Sequence, residues 1–335
     1  MGDRATVFIA AVSLGAAMVV GHAAPGAGAR PPIRGIVDIQ ARQPSIGEAF
    51  SGTGIVVTRR GEVLTNNHVI RGAESIRVVD PGTGRAYPAD VVGYDLSADV
   101  AVLQLRRASG LRTITLGNSA TVRVGDRVTG YGNAGGRGGM PAPAPGMVTG
   151  LGWAVTAFAD DDAGAEHLTG MIKTDAPLEP GDSGGPLLDA AGRVVGIDTV
   201  GASGLGSRTL AGGYAIPINR VRAIARQIEA RRESATVHIG STAFLGLRFQ
   251  AGADLTGLSP GLTIVSVAHR SPAAAAGLRA GDVLTAIGDV LLADPSTFER
   301  ELVRLKPGVR VTIGWTDLAG RPQTRSVVLT AGPPL

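Results

Sequence analysis

Residues 179–187 read Glu-Pro-Gly-Asp-Ser-Gly-Gly-Pro-Leu, which places Ser183 among glycines. A turn with so little side-chain bulk lets two backbone N–H groups converge on one point, as an oxyanion requires. In a turn of this type the donors come from Gly181 and Ser183. A serine hydroxyl is a poor nucleophile until a base takes its proton. Such a nucleophile needs a histidine, and a carboxylate to orient it.

Both are present. Leu64-Thr65-Asn66-Asn67-His68-Val69-Ile70 sets His68 at the end of an apolar run, where a strand gives way to a turn. Ser97-Ala98-Asp99-Val100-Ala101-Val102-Leu103 sets Asp99 at the mouth of a very apolar strand, near low-dielectric surroundings. A lone histidine after a strand is most often structural, and a lone aspartate at a strand start is most often a turn former. The combination His, Asp, Ser in that chain order is one of the orders that build a single acyl-transfer geometry. An esterase of the α/β-hydrolase kind would run Ser, acid, His, and is disfavoured.

Outward from these segments the chain reads as short β runs. Gly54–Thr58, Ala89–Tyr94, Val100–Leu105 and Val194–Ile197 are examples, separated by Gly, Pro and Asn clusters. Strands at this spacing predict a mainly β architecture of sandwich or barrel type. Asn133–Gly146, rich in Gly and Pro, is expected to be a surface loop. At 218–228 the period changes to three and four residues, through Ile218, Val221, Ile224, Ala225 and Ile228. That predicts a helix opened by Asn219 or by Pro217. The helix ends in Arg231-Arg232-Glu233, so a first domain is expected over 30–232 and a linker over 233–240.

A second, smaller domain is expected over 241–332. It carries a strand at Leu262–Val267, a short helix at Ala273–Ala276 and a strand at Val283–Ile287. An amphipathic helix follows at Pro295–Lys306, with closing strands at Val309–Trp315 and Ser326–Leu329. The 335 residues suffice for two domains at roughly 100–200 residues each.

Composition removes several functions. The chain has no cysteine, which excludes disulfides, thiolate catalysis and Cys-type zinc sites. Net charge is +4 with the arginines spread out, so no nucleic-acid partner is expected. His22, His167, His238 and His269 are scattered without ligand spacing, so neither a metal nor a cofactor is expected. Asp160-Asp161-Asp162 reads as an acidic surface loop. At the N-terminus, Arg4 precedes the apolar run Ala5–Val20, and small residues follow up to Ala27-Gly28-Ala29. Residues 1–29 are expected to be a signal peptide, with an uncleaved membrane anchor as the alternative. The expected location is therefore secreted or cell-envelope.

The segments TNNHVI (65–70), ADVAVLQL (98–105) and PGDSGGPL (180–187) resemble those of trypsin-like serine proteases of the HtrA/DegP-like family. TDAPLEPG (174–181), VVGIDT (194–199) and GYAIPINRV (213–221) match as well. Likeness to secreted actinobacterial members of the PepA type adds GTGIV, VVGYD and TVHIGSTAFLGL (236–247). The resemblance spans about 37–332. It implies a chymotrypsin-like double β-barrel followed by a small α+β PDZ domain. It also implies that His68 is general base and then acid, that Asp99 is the orienting carboxylate and that Ser183 is the nucleophile. Phe244, Leu245, Gly246 and Leu247 match the loop whose amides receive a peptide's terminal carboxylate, and Pro295–Lys306 matches the helix lining that groove. The partners implied are polypeptide substrates, unfolded or misfolded, and peptide C-termini. A homo-oligomer, trimeric as in the family, is implied too. The alternative from another class is a chaperone-like peptide binder whose protease site rests idle.

Two departures matter. Many HtrA-type proteins have Asn before the serine, where this chain has Asp182; no activation sequence precedes Val37, so Asp182 is expected to hydrogen-bond within its own loop. The position of an acidic specificity base in trypsin falls on Pro177. A pocket walled by Leu178, Asp198, Thr199, Val200 and Gly201 is expected to accept Val, Ala or Leu rather than Arg or Lys.

Overall fold

The computed structural model describes residues 34–43, 48–158, 165–199, 212–249 and 261–335. The expected signal segment 1–29, Asp160–Asp162, Val200 and Gly201 lie outside them.

The first strands are β1 (Ile36–Gln43), β2 (Glu48–Val56), β3 (Glu62–Thr65), β4 (Ser75–Asp80), β5 (Arg85–Asp95) and β6 (Val100–Leu105). They hydrogen-bond in the order β5-β4-β1-β2-β3-β6, and β5 also pairs with β6, which closes a six-stranded barrel. β5 can do this because its two halves have different neighbours. Residues 85–89 pair with β4, and 89–95 pair with β6 across a register shift between Val91 and Gly93. The alternation of side chains in β6 shows how the core divides. Ala101, Leu103 and Leu105 pack inside this barrel, while Val100 and Val102 point to a cluster shared with the next one.

A second closed barrel, β10-β11-β12-β9-β8-β7, follows. Its strands are β7 (Arg127–Gly132), β8 (Ala142–Phe158), β9 (Ala165–Thr174), β10 (Pro186–Asp189), β11 (Val194–Thr199) and β12 (Gly213–Pro217). The stretch expected as one loop, 133–146, is a loop only to Pro141. From Ala142 it is strand, and Pro143 and Pro145 pair with Tyr131 and Thr129. Proline is tolerated there because β8 pairs with β9 only from Val148 onward, so 142–147 form an edge where a missing N–H breaks no ladder. Helix α1 (Ile218–Glu229) buries Ile218, Val221, Ile224, Ala225 and Ile228, the apolar stripe of the sequence, against both barrels. Pro217, rather than Asn219, stands at its N-cap. β13 (Val237–Ile239) then adds an edge strand to β5.

The remaining elements form the third core. They are β14 (Thr242–Phe244), β15 (Leu247–Phe249), β16 (Leu262–Val267), α2 (Pro272–Ala276), β17 (Val283–Ile287), β18 (Val290–Leu291), α3 (Pro295–Arg304), β19 (Arg310–Thr316), β20 (Pro322–Val328) and β21 (Thr330–Gly332). The main sheet runs β15-β16-β17-β19-β20, and β14 pairs with β21. Both helices are set by local chemistry. Ser271 Oγ accepts from Ala274 N at 3.1 Å and Asp294 Oδ1 from Thr297 N at 2.9 Å, each followed by a proline in the first turn. α3 stops at Arg304 because Leu305 is already extended, and it buries Phe298, Leu302 and Val303.

Candidate active site

His68 lies in the turn after β3, and Asp99 in the turn that enters β6. Asp99 Oδ1 accepts from the His68 backbone N–H at 2.9 Å, and Oδ2 stands 2.8 Å from His68 Nδ1. The carboxylate thus grips both the backbone and the ring of one residue. With Nδ1 facing a carboxylate that can only accept, the ring proton sits on Nδ1 and Nε2 is left as the acceptor. Asp99 is 1 % exposed and adopts φ +54°, a left-handed conformation in which aspartate is enriched. Asn66 Nδ2 holds that backbone by donating to Asp99 O at 3.0 Å.

Ser183 enters from the other barrel, in the turn before β10. The turn is bonded to itself: Asp182 N to Glu179 O at 3.0 Å, Gly185 N to Asp182 O at 2.9 Å, and Glu179 N to Asp182 Oδ2 at 2.9 Å. Asp182 accordingly has a partner inside its own loop. The turn is docked to the first barrel by Thr53 N, which donates to Ser183 O at 2.8 Å. Gly181 has φ +100°, and a Cβ there would lie 2.2 Å from Asn133 O, so both conformation and space demand glycine. Pro180 O accepts from Gly135 N at 2.7 Å. Because the peptide is planar and trans, the Gly181 N–H points the opposite way, out of the 133–139 loop.

The expected specificity wall divides in two. Leu178 packs between strands: a Cβ on Gly130 would lie 2.5 Å from its Cδ2, and one on Gly213 2.2 Å from its Cδ1. Asp198 Oδ2 would be 2.8 Å from the same Gly130 Cβ, so this carboxyl stands behind Leu178, fully buried. Thr199 turns elsewhere and donates to Asp99 Oδ2 at 3.3 Å. Val200 and Gly201 lie outside the described residues. Burial pushes the Asp198 carboxyl well above the usual carboxylate range, and neighbouring Asp182 pushes it further. Asp182 is itself raised, again mainly by burial. Nothing local in the sequence pairs these two acids. Each is visible alone, in PGDSGG and VVGIDT, but the strand that aligns them is remote from both.

In the third core, Phe244–Phe249, α3 and Pro333–Leu335 line a cavity of about 180 Å³. Gly246 (φ +89°) would place a Cβ 2.2 Å from Ser271 Cβ. Leu245 is buried; among the described residues β15 pairs with β16 alone, and residues of β15 and α3 face the same cavity. The same region touches the segment around His68. Asn67 Nδ2 donates to Leu335 O at 2.8 Å, Gly72 N donates to Pro334 O at 2.8 Å, and Arg71 pairs with Glu299 of α3 at 2.7 Å. Among the described residues no cluster of three or more potential metal ligands occurs.

Comparison with known proteins agrees with this fold. Residues 52–197 match the trypsin-like peptidase domain and 243–316 the PDZ domain. The chain is 32 % identical over 280 residues to the chloroplastic protease Do-like 1 of Arabidopsis thaliana, covering 78 % of this chain and 60 % of that protein. It is 32 % identical over 274 residues to the periplasmic pH-dependent serine endoprotease DegQ of Escherichia coli, covering 78 % of this chain and 56 % of the relative. It therefore spans little more than half the length of such relatives. A solved structure, the HtrA-type protease AlgW with a tripeptide, matches with a TM-score of 0.50 at 28 % identity, over 90 % of this chain and 95 % of that one. The chain thus joins a trypsin-like peptidase domain of two β-barrels to a PDZ domain, and over most of its length it is similar to HtrA/DegP-type serine proteases.

Proposed function

We propose that the chain is a serine endopeptidase that cleaves unfolded or misfolded polypeptides through an acyl-enzyme. The observation that carries this is the double grip of Asp99 on His68, at 2.8 and 2.9 Å, on the barrel edge that receives the Ser183 turn. Ser183 Oγ attacks the scissile carbonyl as His68 Nε2 takes its proton. Asp99 holds the ring and offsets the imidazolium charge. The N–H groups of Gly181 and Ser183 receive the oxyanion. His68 then gives the proton to the leaving amine, and water repeats the sequence in reverse to free the acid product. No cofactor enters. Leu178 shapes a pocket for Val, Ala or Leu. The groove between β15 and α3 receives a peptide C-terminus, with the amides of Phe244–Leu247 on the carboxylate.

We place the protein outside the cytoplasm, through residues 1–29 as a signal peptide or an anchor, on their charge and apolar pattern. DegQ, a similar protein, is a periplasmic endoprotease, which is consistent with this. Membership in the actinobacterial PepA-type branch, domain limits near 30–232 and 241–332, and a trimer belong to the same proposal. Digestion of an unfolded protein by the wild type, absent with Ser183→Ala, tests the core of it. Cleavage sites dominated by Arg or Lys would overturn the pocket assignment, and undiminished digestion by Ser183→Ala would overturn the nucleophile.

A further inference from the structure

Thr53 sits in β2, fully buried, facing the Ser183 turn across the gap between barrels. A hydroxyl offers one proton and two lone pairs. Here the proton goes to Gly181 O at 2.7 Å, and a lone pair receives Asn133 N–H at 2.9 Å. The same residue's N–H holds Ser183 O at 2.8 Å, and its carbonyl is held by Thr65 Oγ1 at 2.8 Å. Thr53 thus bonds the residues on both sides of Asp182 and is itself anchored to β3.

The Gly181 N–H lies in the peptide plane before Gly181, and the plane after it fixes the other side of the Gly181 Cα. The plane before Gly181 is set by Gly135 N on Pro180 O at 2.7 Å. The plane after it is set by the Thr53 hydroxyl on Gly181 O. The two constraints share an origin, because Asn133, which starts the loop carrying Gly135, hangs on the same hydroxyl. Gly181 needs such anchors. As a glycine at φ +100° it has the freest backbone of any residue type, and no side chain of its own to hold it.

We propose that Thr53 is a positioning residue for the oxyanion site: its hydroxyl fixes the orientation of the Gly181 N–H by holding Gly181 and the 133–139 loop together. This rests on the endopeptidase assignment above, and deepens it.

The test compares Thr53→Val, which keeps the shape and removes the hydroxyl, with Thr53→Ser, which keeps the hydroxyl. Peptide hydrolysis, affinity for a peptidyl aldehyde and thermal unfolding are measured for each. In folded Thr53→Val, kcat is expected to fall about 10- to 100-fold, below or near the loss of a whole oxyanion donor, with KM changed less than about twofold. Affinity for the aldehyde, whose adduct carries the oxyanion, should fall in parallel, while Thr53→Ser stays near the wild type. A hydroxyl that only satisfies buried groups would lower the unfolding temperature and leave kcat in place. Either kcat within about twofold of wild type in folded Thr53→Val, or Thr53→Ser as impaired as Thr53→Val, overturns the proposal. If Thr53→Val does not fold, Thr53→Ala is judged by the same criteria. Failure of wild-type hydrolysis itself would instead sink the endopeptidase assignment.

Discussion

Asp198 and Asp182 lie along one face of β7, with both Asp198 carboxyl oxygens and Asp182 Oδ1 buried and without a hydrogen-bond partner among the described residues. Gly130 and Gly132, two apart on that strand, make the room: a Cβ on the first would lie 2.8 Å from Asp198 Oδ2, and one on the second 2.5 Å from Asp182 Oδ1. Two neighbouring carboxyls in a buried site do not readily both ionise.

Stability should therefore fall as pH rises. Both carboxyls are raised above the usual value of 3.8 in the folded chain, so the folded state holds protons that the unfolded chain releases. The stabilisation is complete below about pH 4 and is lost as pH climbs through the folded values. Asp198→Asn removes the Asp198 titration and leaves that of Asp182. Its unfolding temperature should exceed that of the wild type by an amount that grows from pH 4 to pH 8. A difference that does not vary with pH would contradict this.

Two further acids carry the same sign into the neutral range. Burial pushes Asp38 up to about 6, against the N–H of Gly139 on its Oδ2. Burial, with Glu229 beside it, pushes Glu62 up to about 7. Asp38→Asn should flatten the pH–stability curve between about 4 and 6, and Glu62→Gln between about 4.5 and 7. Thermal unfolding across that range, with a curve unchanged by either variant, would count against these assignments.

Replacing Asp99 by Asn should cost far more activity than stability. The amide can donate to Nδ1 and so favours the tautomer whose proton is on Nε2, where the base must be free. A fall in kcat of roughly 10⁴-fold is expected. Loss of less than about tenfold in a folded variant would remove Asp99 from the reaction.

Leu178→Ala should enlarge the pocket. Leu178 fills the space between Gly130 and Gly213, so its truncation is expected to raise kcat/KM for Phe over Val at the cleaved position by about tenfold or more. Peptide-library cleavage with an unchanged profile would place the pocket elsewhere.

The barrels and the candidate triad were legible because each depends on local strings. A His after a strand, an Asp before an apolar strand and a Gly-rich Ser turn are visible without knowing what they face. The α1 stripe from Ile218 to Ile228 was legible for the same reason. What escaped depends on neighbours far apart in the chain. Thr53 acts on residues 128 positions away. Asp182 and Asp198 meet only because β7 passes behind both. Thr199 was assigned to the pocket wall by position, whereas its hydroxyl points to Asp99, since alternation along β11 sends it to the opposite face from Asp198. Pro143 and Pro145 suggested a loop because proline usually ends a strand, and only the missing β9 partner explains their tolerance.

The most direct measurement is mass spectrometry after treatment with a serine-directed peptidyl phosphonate. The wild type should gain one covalent adduct on Ser183, Ser183→Ala should gain none, and His68→Ala should react far more slowly. A folded wild type that stays unlabelled, or is labelled at another residue, would contradict the account.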